Sequence, residues 1–163
     1  MLARTVSRFA GVARRGYAAA AAQKAANPEE LHLTFASPEA AFYSNQVVKQ
    51  VDVPTLAGVV GVLANHVPTI GVLKPGVVTV HTNEGTQQKV FVSSGTLSVN
   101  IDGSCQVLAE EAINVEDINE AEAKKVLEAA QRATSEGSEL ARAEAAIQVE
   151  VAEALIKAVS GQQ

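Results

Sequence analysis

The 163-residue sequence has one cysteine, Cys105, no tryptophan and three histidines. A single cysteine excludes an internal disulfide framework and a zinc site built from cysteines. The histidines, His32, His66 and His81, have neither the HxH nor the HExxH spacing of metal-binding motifs. We therefore predict no metal site, no cofactor site and no catalytic site in this chain.

Positive charge is also scarce, because 13 lysines and arginines stand against 18 aspartates and glutamates, for a net charge of −5. A protein that binds nucleic acid by neutralising phosphates needs the opposite balance, so we expect no nucleic-acid partner.

The longest apolar run, from Leu56 to Ala64, is less than half of the roughly twenty residues that a membrane-spanning helix needs. Any contact with a membrane is expected to pass through another protein.

Two familiar catalytic signatures are incomplete in this sequence. Ser94-Gly95 lacks the flanking glycine and the following helix of a nucleophile elbow. Gly58, Gly61, Gly71 and Gly76 are spaced like a glycine-rich loop, but none precedes Lys-Ser or Lys-Thr. Turns between strands are the simpler interpretation of these glycines.

The first thirty residues form a distinct leader. Its first acidic residue is Glu29, whereas four arginines occur within the first fifteen positions. On a helix, its apolar residues share one face opposite most of the arginines; they are Leu2, Val6, Phe9 and Ala13. Such a leader is typical of mitochondrial transit peptides, and an ordinary basic tail is the alternative. We predict a transit peptide at 1–17, cleaved after Tyr17, and a flexible segment at 18–30. Without residues 1–17, nine basic residues remain against eighteen acidic ones.

The amino-acid usage of the chain changes near residue 113. Residues 47–107 contain sixteen valines and two alanines, whereas residues 109–158 contain fourteen alanines and four valines. Valine suits a pleated sheet, and alanine has the highest helix propensity. Alternating apolar residues with turn signals between them, such as Asp102-Gly103, predict an antiparallel β-sandwich or barrel over 31–113, and we take the sandwich. Helical spacing after a cap at Asn119, broken at Gly137, predicts a two-helix antiparallel hairpin over 114–163.

Several stretches appear in an order and spacing that match a known family. They are Leu31 to Glu39 with Phe42, Val51-Asp-Val-Pro54, Gly58-Val-Val-Gly61-Val-Leu-Ala-Asn-His66-Val-Pro68, Leu73-Lys-Pro75-Gly76, Phe91 to Gly95 and Val107 to Ala112. Together they resemble the ATP synthase epsilon-type subunit family, and the likeness continues through both helices to about residue 160. The leader points to the mitochondrial branch of this family.

The resemblance implies a non-catalytic rotor subunit of the central stalk, with no active site of its own. Such a subunit joins the gamma subunit to the loops of the membrane c-ring and couples proton flow to ATP synthesis. A small mitochondrial epsilon subunit packs against it. The implied location is peripheral, on the matrix side of the mitochondrial inner membrane.

One corner of the chain carries the residues expected to touch partners. Val59, Val60 and Leu63 are candidates for apolar contacts with the c-ring loops, although the alternation predicts that at least one of the two valines belongs to the core. His66, Pro68 and Thr69 are candidates for the edge that faces the gamma subunit, and Asn65 lies in the same turn.

An alternative function is an ATP-sensing regulatory module, because some bacterial members bind ATP through an Ile-Asp-x-x-Arg-Ala segment. The corresponding residues run from Ile118 to Ala123, with Asn119 in place of the aspartate and Glu122 in place of the arginine. A carboxylate at the arginine position would repel phosphates, which counts against this alternative.

Overall fold

The computed structural model describes residues 29–135 and 137–161. The predicted transit peptide (1–17) and nearly all of the segment at 18–30 lie outside these residues. The described chain has ten strands, a single 3-10 turn and two helices. They are β1 Leu31–Ala36, β2 Ala41–Val48, β3 Gln50–Thr55, β4 Gly58–Leu63, β5 Thr69–Leu73, β6 Gly76–His81, β7 Gln87–Val92, β8 Gly95–Val99, β9 Ser104–Ala109, β10 Ala112–Asn114, the turn Val115–Asp117, α1 Glu120–Ala133 and α2 Glu139–Val159.

The strands form one continuous sheet that folds over a common core. Their order is β10-β7-β6-β3-β5-β8-β9-β1-β2, and β4 pairs with β3 beside this path. This arrangement confirms the predicted β-sandwich followed by two helices. The pairing of β1 with β9 is parallel, unlike the antiparallel pairing expected throughout. No hairpin joins β1 to β9, so the direction of their pairing is not restricted by a short turn.

Alternation sends every second side chain of β1 and β9 into the core, whereas β3, β6 and β7 each bury three consecutive residues. The pattern of β1 is buried at Leu31, Leu33 and Phe35 and half-buried between them. Because β-branched residues pack well on a pleated surface, valine supplies most of the remaining core. The fully buried valines are Val51, Val53, Val62, Val78, Val80, Val90, Val92 and Val107.

Gly95 lies where the backbones of β8 and β9 come very close together. Its φ angle is +147°, and a Cβ added there would overlap the Leu108 carbonyl oxygen and lie 2.8 Å from the Ala109 Cα. A side chain at this position would therefore separate β8 from β9, where Gly95 pairs with Ala109. Only glycine combines this backbone angle with the space available.

The two helices begin at caps that the local sequence supplies. Asn119 Oδ1 accepts a hydrogen bond from the Ala121 N–H at 3.0 Å, which confirms the predicted cap of α1. Ser138 Oγ accepts one from the Ala141 N–H at 3.3 Å at the start of α2. Gly137, with a φ angle of +90°, separates the helices as predicted. The buried residues of the two helices are all alanines, whose small side chains allow close packing: Ala123, Ala130, Ala145, Ala152 and Ala158.

Candidate functional site

The corner of the sandwich is built on a tight hairpin between β3 and β4. Thr55 pairs with Gly58 across a two-residue turn, and Thr55 Oγ1 donates a hydrogen bond to the Gly58 carbonyl at 2.7 Å. The pairing then continues without a shift to Gln50 and Leu63. Because β-strands alternate, Val60 packs partly against the core whereas Val59 is 67% exposed. One of the two valines thus faces the core, as the alternation predicted.

The turn that follows β4 is braced from within. Asn65 adopts a φ angle of +60°, and the His66 N–H donates to the Leu63 carbonyl at 3.2 Å. His66 Nδ1 and Thr69 Oγ1 both donate to the Val67 carbonyl, at 2.8 Å and 2.9 Å. These bonds hold the turn in a defined shape, so it can act as a rigid contact surface.

The seven predicted contact residues lie along one continuous segment, from β4 through the following turn to the start of β5. Val59, Leu63, Asn65 and Pro68 are exposed, and Val60, His66 and Thr69 are half-buried. The hydrogen bonds of His66 and Thr69 go to a local carbonyl and shape the turn. Whether partners touch any of these residues stays a prediction.

A second surface was missed in the sequence analysis and adjoins this corner. We call it the uncharged face; it consists of the outward residues of β5, β8 and β9. Val72, Thr96 and Leu108 form one row across the three strands, and Ile70, Ser98 and Gln106 form the next. Ile70 is 85% exposed and Val72 is 56% exposed. The signal was present in the sequence, because the alternation of Thr69–Leu73 puts aliphatic residues on both faces of β5.

A groove runs between the sandwich and the helices, with a volume of about 520 Å³. Its apolar lining comes from β7, β10 and both helices and includes Phe91, Ile113, Val126, Val151 and Leu155. Four exposed carboxylates stand among its lining residues: Glu39, Glu111, Asp117 and Glu122. This combination favours binding of a partner segment whose apolar side chains contact the apolar lining and whose basic side chains contact the carboxylates.

Asp52 and Cys105 are two ionisable groups whose surroundings the structure defines closely. His81 Nε2 donates to Asp52 Oδ2 at 2.8 Å, and Gln50 Nε2 donates to Asp52 Oδ1 at 2.6 Å. The bond to Oδ2 joins β6 to β3, whereas the bond to Oδ1 stays within β3. Burial raises the pKa of the Cys105 thiol to about 12. The thiol is therefore protonated at physiological pH, which leaves it a poor nucleophile.

Among residues 29–135 and 137–161, no group of three or more His, Cys, Asp or Glu side chains is arranged to hold a metal ion. No helix in the same residues is long and apolar enough to cross a membrane. Partner recognition by the corner, the uncharged face and the groove is the chemistry that this arrangement supports.

Comparison with known proteins shows the family of this chain. The beta-sandwich domain of the ATP synthase delta/epsilon chain matches residues 30–115. The Caenorhabditis elegans protein "ATP synthase subunit delta, mitochondrial" is 75% identical over 163 residues, which is 100% of both chains. The Saccharomyces cerevisiae protein of the same name is 42% identical over 144 residues, 88% of this chain and 87% of the yeast chain.

Solved structures agree with this likeness. A chain of the Euglena gracilis mitochondrial ATP synthase, in a structure of OSCP/F1/c-ring in rotational state 1, superposes with a TM-score of 0.75 at 28% identity, covering 81% of this chain and 82% of that one. A chain from the central stalk/c-ring structure of the Tetrahymena thermophila enzyme has the same fold, with a TM-score of 0.62 at 12% identity, covering 83% and 99%. The chain therefore belongs to the ATP synthase delta/epsilon chain family, in the group of mitochondrial delta subunits.

Proposed function

We propose that this protein is the rotor subunit that joins the gamma subunit to the c-ring in the mitochondrial ATP synthase and couples proton flow to ATP synthesis. The observation that carries the proposal is the uncharged face, where Ile70, Val72 and Leu108 are exposed and no outward residue of β5, β8 or β9 is charged. A rigid partner with a complementary apolar surface would bury it. The gamma subunit is that partner in our proposal.

The c-ring is assigned to the corner at the β3–β4 hairpin. Val59 and Leu63 project from β4 at 67% and 49% exposure, next to the braced turn at Asn65. The Euglena relative comes from an assembly that contains a c-ring, which supports this assignment. In this proposal the ring is what holds the protein at the membrane. We accordingly place the protein at the matrix side of the inner membrane.

The mechanical demand on such a joint sets a lower limit on its size. One elementary charge moving across 100 mV releases about 2.3 kcal/mol, and several charges move for each ATP made. A standard interface of about 1,600 Å² can resist this load, whereas a small wet contact would slip. A sandwich with continuous cross-strand pairing transmits torque without changing shape. We assign the protein no catalytic step of its own.

The groove between the sandwich and the helices is assigned to the small mitochondrial epsilon subunit. Its four carboxylates favour a partner with basic residues, and its apolar lining favours an inserted side chain or helix face. Helices α1 and α2 are too poor in large buried side chains to be self-sufficient, so a partner in the groove would also hold the hairpin in place.

The test of the gamma assignment is co-purification from mitochondria through a C-terminal tag. Val72→Lys and Leu108→Lys each add a charge to the uncharged face, and because both side chains are exposed the chain should still fold. We expect each variant to lose most of the recovered gamma subunit. Leu140→Lys, at an exposed position on α2, is the matched control and should recover gamma normally. Normal recovery with both face variants would contradict the assignment.

Import into mitochondria is tested by sequencing the N-terminus of the organellar protein. We expect it to begin near Ala18, since the predicted transit peptide ends at Tyr17. Recovery of the functional protein with Met1 intact would contradict cleavage of a transit peptide.

The ATP-sensing alternative has less support. Asn119 Oδ1 is occupied by the cap of α1, and Glu122 is one of the four carboxylates at the groove. Phosphates approaching this place would meet negative charge. Calorimetry of the full chain with ATP should therefore detect no saturable binding at millimolar concentration. Saturable binding in that range would revive the alternative.

A further inference from the structure

Strand β4 has a partner on one side only. It pairs with β3 from Gly58 to Leu63, and no other described strand pairs with it. Its opposite edge is therefore open in the structure. An open strand edge presents N–H and C=O groups that can bind another strand.

The position of Pro54 shows which backbone groups of β4 point outward. Pro54 has no N–H and therefore cannot donate a hydrogen bond to Val59. The pair of Pro54 with Val59 is accordingly a non-hydrogen-bonded pair of the antiparallel ladder. The Pro54 carbonyl instead accepts from the Lys74 N–H at 3.2 Å, on the side away from β4. Since the two kinds of pair alternate along an antiparallel ladder, Val59, Gly61 and Leu63 direct their backbone groups to the open edge.

Strand β4 itself lacks the features by which natural sheets avoid pairing with other chains, and the charged residues of α2 that line a cavity with Val59 lie on its outward face: Glu150, Glu153 and Lys157. The two strands at the ends of the sheet order have such features: β10 is three residues long, and β2 has register shifts and a positive φ at Asn45. Strand β4 runs for six residues in a single register, and its sequence Gly-Val-Val-Gly-Val-Leu has no charge and no proline. Charges and prolines are common devices that protect an edge.

We infer that the free chain pairs with a second copy of itself, β4 edge against β4 edge in antiparallel orientation, with Gly61 opposite Gly61 on the two-fold axis. With Gly61 on the two-fold axis, Val59 and Leu63 lie at equal distances on either side of it. Val59 of each copy therefore faces Leu63 of the other. All three positions meet as hydrogen-bonded pairs. Gly61 at the centre leaves space for the four aliphatic side chains around it.

Charge and area decide how strong this pairing is. Asp52, the carboxylate opposite Gly61 on β3, would lie three strand spacings from its copy, about 14 Å, which is beyond the screening length at physiological salt. A single six-residue edge is well below the roughly 1,600 Å² of a stable interface. The dimer is thus weak and reversible. It depends only on β4, whichever subunit covers the corner in the assembled enzyme.

The first measurement is sedimentation equilibrium of the purified full chain over a hundredfold concentration range. We expect a monomer–dimer equilibrium. Hydrogen exchange of the Gly61 and Leu63 amides should slow at least threefold from the lowest to the highest concentration, which requires no variant. A strictly monomeric chain with exchange independent of concentration would overturn the inference.

Two double variants test the register. In Val59→Lys/Leu63→Lys, both cross-copy pairs become Lys opposite Lys, and the dimer should weaken at least tenfold. In Val59→Lys/Leu63→Glu, each lysine faces a glutamate of the other copy, and the dimer should return to within about threefold of wild type. Within one chain these positions are four residues apart on a strand, roughly 13 Å, so the two variants differ little as monomers.

The control is Ile70→Lys/Val72→Lys, which adds the same charge to the uncharged face and should leave dimerisation unchanged. Equal weakening in this control would mean non-specific apolar association and would overturn pairing through β4. Failure of the Lys/Glu variant to recover would overturn the register. The control should also lose gamma binding while it dimerises normally. The gamma assignment, which uses the uncharged face, is thereby tested separately from the dimer, which uses the edge of β4.

Discussion

The Tyr43 hydroxyl donates a hydrogen bond to Gln88 Oε1 at 2.6 Å and thereby joins β2 to β7. These strands stand at or near opposite ends of the strand order, where no backbone ladder connects them. Tyr43 is buried, and burial raises its pKa. The bond thereby ties together the two ends of the folded sheet.

Tyr43→Phe should lower the free energy of unfolding by about 1 kcal/mol, because the ring stays packed and only the hydrogen bond is lost. Chemical denaturation measures this change. Gln88→Ala should cost a similar amount, and the double variant should cost less than the sum of the two. Strict additivity of the two changes would show that the bond contributes nothing to stability.

Gly95→Ala should destabilise the sandwich by several kcal/mol, since the added Cβ would overlap the Leu108 carbonyl. Gly58→Ala is the matched control, because Gly58 has a φ angle of +122° but nothing within 4 Å of an added Cβ. The control should lose only the cost of its backbone angle, about 1–3 kcal/mol. If both variants lose the same free energy of unfolding in thermal or chemical denaturation, β9 must leave room for a side chain at Gly95.

The pKa of Cys105, raised by burial from 9.0 to about 12, predicts a loss of stability in alkaline solution. The folded chain keeps the thiol proton while the unfolded chain loses it, so the free energy of unfolding should fall as pH rises from 9 toward 12. The slope approaches about 1.4 kcal/mol per pH unit. Below pH 9 this contribution is fully present.

Cys105→Ala should remove that slope while lowering stability at all pH values through lost packing. Denaturant unfolding between pH 8 and 9.5 is the measurement, because the raised pKa of Tyr43 acts only above its usual value of 10.0. A thiol reagent should also react with native Cys105 no faster than the chain unfolds. Identical slopes for both proteins, or rapid labelling, would contradict the shielding of this thiol.

Val59→Asp should uncouple the enzyme without unfolding the subunit. Val59 is exposed, so the free energy of unfolding should change by less than about 0.5 kcal/mol. Val62→Asp, the buried control on the same strand, should cost several kcal/mol because it buries an unpaired carboxylate. In the assembled enzyme, the Val59 variant should keep ATP hydrolysis and pump fewer protons per ATP. Hydrolysis and pumping that fall in proportion, with normal assembly, would exclude a coupling role for the corner.

Much of the fold was predictable because local signals agree with one another. The change from valine to alanine near residue 113 separates strands from helices, as each residue type favours one backbone geometry. Asp102-Gly103 predicted the hairpin between β8 and β9, where Gly103 has a φ angle of +83°. The parallel pairing of β1 with β9 had no local signal, because long-range pairing is decided by the core that the two strands share.

The contact residues show the same division. The alternation at Val59 and Val60 required one valine to face inward, but only the pairing with β3 decided that Val60 is the one packed against the core. His66 and Thr69 were predicted as contact residues, and the structure adds that both donate to the Val67 carbonyl and so hold the turn in shape. Their contact with a partner stays a prediction.

The sequence by itself determined the order of strands and helices, the caps and turns, the chain's acidic balance and its family. These properties depend on neighbours along the chain, whose spacing is set by covalent geometry. The tertiary structure decided which residues form surfaces: the rows of Val72 with Leu108 and of Ile70 with Gln106, the acidic groove and the open edge of β4. The rows and the groove join segments far apart in the chain, and their proximity arises only when the strands share one core. The edge of β4 is open because no strand from elsewhere in the described chain pairs with it.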